Sequence, residues 1–174
     1  MAKLDLSSAR KLVADADATQ LDVWNYMLQP DVKWVDTVKK KRELMPFFEA
    51  DPGDVVDTLS RPRKADDAWF EKHGARSVEN RTIHAVQAVE VGGAPMALVY
   101  TSAFLANDLG MNERYAVAEV DGDLKIVSRQ VYSTDSGWQH AGGRDLAEPK
   151  PTGDVKRITP PDHEASRAIY DELS

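Results

Sequence analysis

RTIHAVQAVEVGGAPMALVYTSAF, residues 81–104, is the stretch whose reading decides the fold. From Arg81 the apolar period is two, and the residues are the Val, Ile, Tyr and Thr that a pleated, half-buried surface prefers. Gly92-Gly93 interrupts the run where a hairpin would turn, because glycine accepts the positive φ of a two-residue turn. The same pattern continues downstream. Four strands are expected, Arg81–Val91, Pro95–Leu105, Asn112–Val120 and Leu124–Ser133, with Gly122-Asp123 turning the last pair and a longer loop, Ala106–Gly110, before it.

Upstream the spacing is helical. Ser7 or Ser8 is a candidate cap for a short first helix carrying Ala9, Leu12 and Val13. Ala14–Ala18 reads as a connection, and Asp17 with Gln20 has the form of a capping box. The second helix it opens presents Leu21, Trp24 and Leu28 on one face and stops at Pro30. Val32–Thr37 reads as a short strand with Val32, Trp34 and Asp36 on one side. A helix from about Lys39 to Glu49 follows, and Pro46 marks a kink or an earlier end. Residues 51–80 mix Pro, Gly and charge, with one helix expected around Asp66–His73. Helices followed by an antiparallel meander make an α+β fold, with N-terminal helices packed on one face of a curved antiparallel sheet. Beyond Ser133 Gly and Pro dominate through Pro161, ahead of a short last helix, Asp162–Leu173. The expected organisation is a domain over 1–135 and a C-terminal extension over 136–174 that wraps the body or a partner.

Composition narrows the function classes. The chain has 174 residues, 42% hydrophobic and 29% charged, enough to bury a core without staples. It has no cysteine, which excludes a disulfide framework and a thiolate metal site. A net charge of −7 argues against nucleic acid as a partner. No run approaches the roughly 18 apolar residues of a membrane helix, and the first residues lack a signal-peptide pattern, so a cytoplasmic protein is expected. The basic run Lys39-Lys40-Lys41-Arg42 reads either as a phosphate-binding patch or targeting signal, or as the solvated side of a helix backed by Leu44, Phe47 and Phe48.

Two segments carry a family resemblance. Met27-Leu28-Gln29-Pro30-Asp31-Val32-Lys33-Trp34-Val35-Asp36 resembles the helix-to-strand entry of the nuclear-transport-factor-2-like superfamily. Val120-Asp121-Gly122-Asp123-Leu124-Lys125-Ile126-Val127, with Val131-Tyr132 and Asp135, is similar to its closing strand. The Gly-turn hairpin Val89–Val99 sits in the matching order, and the resemblance covers about residues 7–135. It implies a cystatin-like cone, a curved sheet around a cavity with helices as a lid. The superfamily includes ketosteroid isomerases, polyketide cyclases, a dehydratase, an epoxide hydrolase and members that only bind, so fold alone does not fix function.

By that resemblance Asp36 occupies the place of a catalytic base. Beside Trp34 on a cavity wall, its carboxylate would be desolvated toward a useful basicity. The alternative is that Asp36 caps the following helix. The isomerases' oxyanion donors are missing, because Leu12 and Ala116 stand at their matching positions. Taking Gly122-Asp123 as the turn, Ala116 faces Arg129 and Arg114 faces Val131, so Arg114, Ala116, Ala118, Val127 and Arg129 share one face. Arg129 with Asp36 would then hold a carboxylate or other polar group, with Arg114 and with Tyr100 or Tyr115 as further positioners; the alternative is an arginine on a solvated convex face or in a structural ion pair. His84, in the first strand, is either a pocket acid or base or a strand histidine with its hydrogen bonds satisfied. The four histidines show no metal-ligand spacing, and no phosphate loop or dinucleotide fingerprint occurs, so neither metal nor cofactor is expected.

Two functions from different classes follow. One is a small-molecule pocket protein, an isomerase, cyclase or dehydratase working by acid–base chemistry alone. The other is a non-catalytic interaction domain for a protein partner, a basic one by charge complementarity. The resemblance implies a homodimer through the outer sheet face.

Overall fold

In the computed structural model the described residues are 4–27, 31–50, 80–104 and 110–159. The helix expected around Asp66–His73 and the last helix, Asp162–Leu173, lie outside them.

Helix α1, Leu6–Met27, is continuous where two helices were expected. Asp5 caps it, accepting from the Ser8 amide at 2.8 Å and the Ser8 hydroxyl at 3.0 Å, so Ser8 binds the cap instead of being it. Ala14–Ala18 contains neither Gly nor Pro, and alanine is the best helix former, so nothing there stops the helix. Lys11 pairs with Asp15 one turn on. Ala9, Val13, Ala16 and Val23 form the buried stripe that meets the sheet.

The stretch read as a strand from Val32 is instead the entry to helix α2, Trp34–Lys41. Asp31 turns the chain at φ 67°. Asp36 lies in the first turn and Lys39, Lys40 and Lys41 in the last, an order that complements the helix dipole. A 3-10 helix, Arg42–Phe47, follows and contains Pro46. Of the basic run, Lys40 is engaged with Asp22 at 2.9 Å and Glu43 at 3.2 Å, and its ammonium is held above the ordinary range chiefly by the hydrogen bond to Asp22.

The meander forms as expected. Strands β1 (Asn80–Val91), β2 (Ala94–Phe104), β3 (Gly110–Val120) and β4 (Asp123–Ser133) pair antiparallel in sequence order. A fifth, β5 (Gly137–Gly143), was not among the expected strands and pairs with β4. Two short strands, β6 (Lys150–Pro151) and β7 (Lys156–Arg157), pair with the far side of β1. The last hairpin turns at Asp121-Gly122, one residue earlier than expected, with φ of 52° and 87°. The sheet is strongly curled. Bulges interrupt β1 at Ile83/Ala85, the β3–β4 ladder at Ala116/Val117 and the β4–β5 ladder at Arg129/Gln130. Each inserted residue sharpens the local twist, which favours curling. This is an α+β architecture with helices against a curled antiparallel sheet, compatible with a cone. No helix among the described residues is long and apolar enough to cross a membrane.

The sheet carries a core on each face. Val86, Ala97, Val99, Tyr115, Val117 and Ile126 meet α1 and Phe48. Their neighbours Ala85, Val89, Leu98, Tyr100, Ala116 and Val127 point the other way, where Trp138, Leu146 and Val155 cover them. The tail therefore supplies the second layer. Its departure is fixed at Gly143, whose φ is 71° and where a Cβ would come within 2.4 Å of the Val127 carbonyl oxygen. The Gly143→Ala variant should lose about 1–3 kcal/mol of stability by urea denaturation. Gly92→Ala, with φ 58° but nothing within 4 Å, carries only the backbone part of that cost and should lose less. Equal losses would show that the close approach at Gly143 does not exist.

Candidate ligand-binding site

The bulge in the β3–β4 ladder decides which side chains share a site. Val117 pairs with Ile126 but Ala116 pairs with Ser128, so Val127 is the inserted residue. From Ser128 onward every side chain is on the face opposite to a regular continuation. Tyr115 therefore faces Arg129, and Arg114 faces Gln130. The expected shared face of Arg114 and Arg129 does not exist, because one extra residue separates them.

Arg129 points to the helix side of the sheet. It is buried, and its Nε donates to Glu113 Oε2 at 2.5 Å. Glu113 is wholly buried and also accepts from the Tyr115 hydroxyl at 3.1 Å. Thr101 donates to the Glu113 backbone carbonyl at 3.3 Å. Arg129 is thus engaged in a buried ion pair within the helix-side core. Asp36, on α2, is half-buried with its amide bonded to the Lys33 carbonyl at 3.1 Å. Asp36 thus lies on a helix, not on the strand that the expected cavity wall required. His84 sits at the β1 bulge, fully buried, with Nε2 2.5 Å from Ser102 Oγ and Nδ1 2.7 Å from Thr159 Oγ1. Two hydroxyls hold its ring, which fits the reading of a satisfied strand histidine.

The opposite face presents a cavity. Arg144 leaves β5 bonded through its amide to the Val127 carbonyl at 2.8 Å, and its own carbonyl accepts from Ser128 Oγ at 2.7 Å. Its side chain reaches Glu49, Nε to Oε1 at 2.8 Å with a second contact from Nη2 to Oε2. The hydrogen bond to Glu49 holds this guanidinium above its ordinary range. From there residues 145–149 cross the sheet to β6, outside β1, where Thr152 donates to the Ala88 carbonyl at 3.0 Å. Six steps from Arg144 to Lys150 reach at most roughly 21 Å, whereas the five strand spacings from β5 to β6 amount to roughly 24 Å along the sheet, so only the curl of the sheet brings the two ends within reach. The strap has little slack, so it bridges the face instead of settling into it.

Beneath it lies a cavity of about 540 Å³. Val89 and Leu98 from the sheet, Leu146, Ala147 and Pro149 from the strap and Pro151 from β6 give it apolar walls. Its polar end is a row of four side chains on neighbouring strands: Gln87, Tyr100, Arg114 and Gln130. Arg114 Nε donates to Gln130 Oε1 at 2.5 Å, and longer contacts run from Arg114 Nη1 to the Tyr100 oxygen at 3.5 Å and from there to Gln87 Oε1 at 3.4 Å. The guanidinium lies 4.5 Å from the ring centre of Trp138, which also packs edge-on to Tyr100. Glu148, on the strap, is the one carboxylate among the described lining residues.

Of the residues singled out in sequence, Arg114 and Tyr100 thus meet in one cavity, while Arg129, His84 and Asp36 take part elsewhere. Gln87, Gln130 and Trp138 were missed. Neutral amides carry no motif, and Trp138 lies in a strand hidden among glycines. Among the described residues no group of three or more His, Asp or Glu side chains is placed to hold a metal.

Arg129→Met, which a cavity position would tolerate, should instead cost about 3–5 kcal/mol, because it removes one partner of a buried ion pair. Asp36→Asn should cost no more than about 1 kcal/mol, the size of a first-turn dipole interaction. Urea denaturation of both variants checks the contrast, and similar losses would contradict it. Comparison of this chain with protein-family models, with curated proteins and with solved structures finds no match.

Proposed function

We propose that this protein binds a small molecule in the cavity beneath its C-terminal strap, on a nuclear-transport-factor-2-like cone whose tail covers the second sheet face. One observation carries the reading: a 540 Å³ space, inside the range of small-molecule sites, with polar groups gathered at one end and apolar walls elsewhere. That segregation fixes a ligand's orientation while burying most of its surface. Binding is favoured over acid–base catalysis. The described lining contains no histidine, and its one carboxylate, Glu148, is exposed on the strap. A protein partner is the second reading, supported by Val35 and Met45, 56% and 54% exposed on the helical side.

The test is a small-molecule fragment screen followed by two-dimensional amide spectra of the full chain. Binders should shift the Trp138 indole and the Gln87 and Gln130 side-chain amides as a group. Shifts confined to α2 and the 3-10 helix, or no shifts at all, would favour the protein-partner reading.

A further inference from the structure

Gln87 is the lining group with the most hydrogen-bonding capacity left over. A primary amide has two N–H donors and two acceptor lone pairs. Gln87 is only 6% exposed, and among the described residues its one hydrogen bond is the 3.4 Å contact with the Tyr100 hydroxyl. Whichever way the amide is turned, that contact uses one of its four sites. At least one N–H and one lone pair therefore remain for what occupies the cavity it lines. The charged groups are differently placed. Arg114 is engaged by Gln130 at 2.5 Å, by the Tyr100 hydroxyl and by the face of Trp138, and both Arg114 and Tyr100 have interactions beyond the row. The protein already solvates this cation, and Glu148 is exposed on the strap. A charged head would give up its water here without a dedicated counter-ion, which is costly. A neutral head is favoured, and one that both donates and accepts, as Gln87 does.

Gln87 also stands where the polar row meets the apolar wall. It pairs with Leu98 across the β1–β2 ladder, and Val89 follows two residues on, on the same face. Val89 pairs in turn with Pro151, which closes that end. A head bonded to Gln87 therefore places an attached chain along Val89 and Leu98, under Leu146 and Pro149 of the strap.

We propose that the cavity takes a small neutral ligand with an amide head, the head exchanging hydrogen bonds with Gln87 and the hydrocarbon body lying between sheet and strap. This rests on the reading that the cavity binds a small molecule. An amide supplies a carbonyl for the Gln87 N–H and an N–H for its lone pair in one planar group, whereas a ketone or an ester only accepts.

The experiment titrates the full-length protein with octanamide, N,N-dimethyloctanamide, octanoate and octylamine, which share one chain and differ in the head. Calorimetry gives the affinities. The methyl resonances of Leu98 and Leu146 report that the cavity is filled, and the Gln87 side-chain amide reports where the head lies. Octanamide should bind about tenfold more tightly than each of the others, the size of one or two hydrogen bonds, and should shift all three reporters. Gln87→Leu should remove that preference. Gln87→Glu, with little change of shape, should weaken octanamide and make octylamine the tightest ligand, which keeps the test decisive if Gln87→Leu does not fold. Equal binding of the four with both methyls shifted, or octanoate or octylamine tightest in the unaltered protein, would overturn the amide proposal and leave the cavity reading standing. Undiminished octanamide binding by Gln87→Glu would do the same. If none of the four moves the Leu98 and Leu146 methyls, both fall.

Discussion

One inserted residue, Val127 in β4, sets the plan of both faces of the sheet. Its presence reverses the alternation of side chains beyond it, so Arg129 turns to the helices and Gln130 to the tail. Its carbonyl oxygen accepts the Arg144 amide, and Gly143 passes so close to that oxygen that no side chain fits there. The bulge is therefore also the point from which the tail leaves the sheet edge. Without it Arg129 would lie on the strap side, and Glu113 would lose a buried ion-pair partner.

The two faces then become different kinds of interior. On the helix side, α1 lays a stripe of small and β-branched residues along the strands, and the buried charges are engaged with each other. On the other side a taut strap, held at Arg144 and again at Thr152, spans a face whose residues are partly polar. A chain with little slack cannot follow a curled surface, and the space left under it is the cavity. A buried row of arginine, glutamines and tyrosine is expensive to keep in an apolar core unless its hydrogen bonds are met. Trp138, whose indole hydrogen has no partner, is where that satisfaction is incomplete.

The fold was legible where local chemistry decides structure. The period of two from Arg81, the Gly92-Gly93 turn and the composition of four strands led to the observed meander, because strands that bury one face must alternate. Legibility failed where a single residue or a distant contact decides. Asp31 takes a left-handed conformation and Trp34–Lys41 is a helix, although Val32, Trp34 and Asp36 alternate in the sequence like a strand. No pattern in the sequence marks Val127 as inserted, so the expected register put Arg114 and Arg129 on one face where the bulge puts them on opposite ones. The strap was invisible for a related reason. Its residues are irregular, and only their placement across the sheet, pinned by Gly143 and by pairing with β1, gives Leu146 and Pro149 a role.

Amide hydrogen exchange, measured residue by residue on the intact chain, tests the central claim most directly: a strap anchored at the Val127 bulge and at β1, bridging freely between. The account predicts strong protection at Arg144, bonded to Val127, and at Thr152, bonded to Ala88. The amides of Leu146, Ala147 and Glu148, which bond to no described residue, should exchange at close to intrinsic rates. An unprotected Arg144 would contradict the anchor. Protection running unbroken from Arg144 to Thr152 would show a strap packed down on the sheet, and with it no cavity.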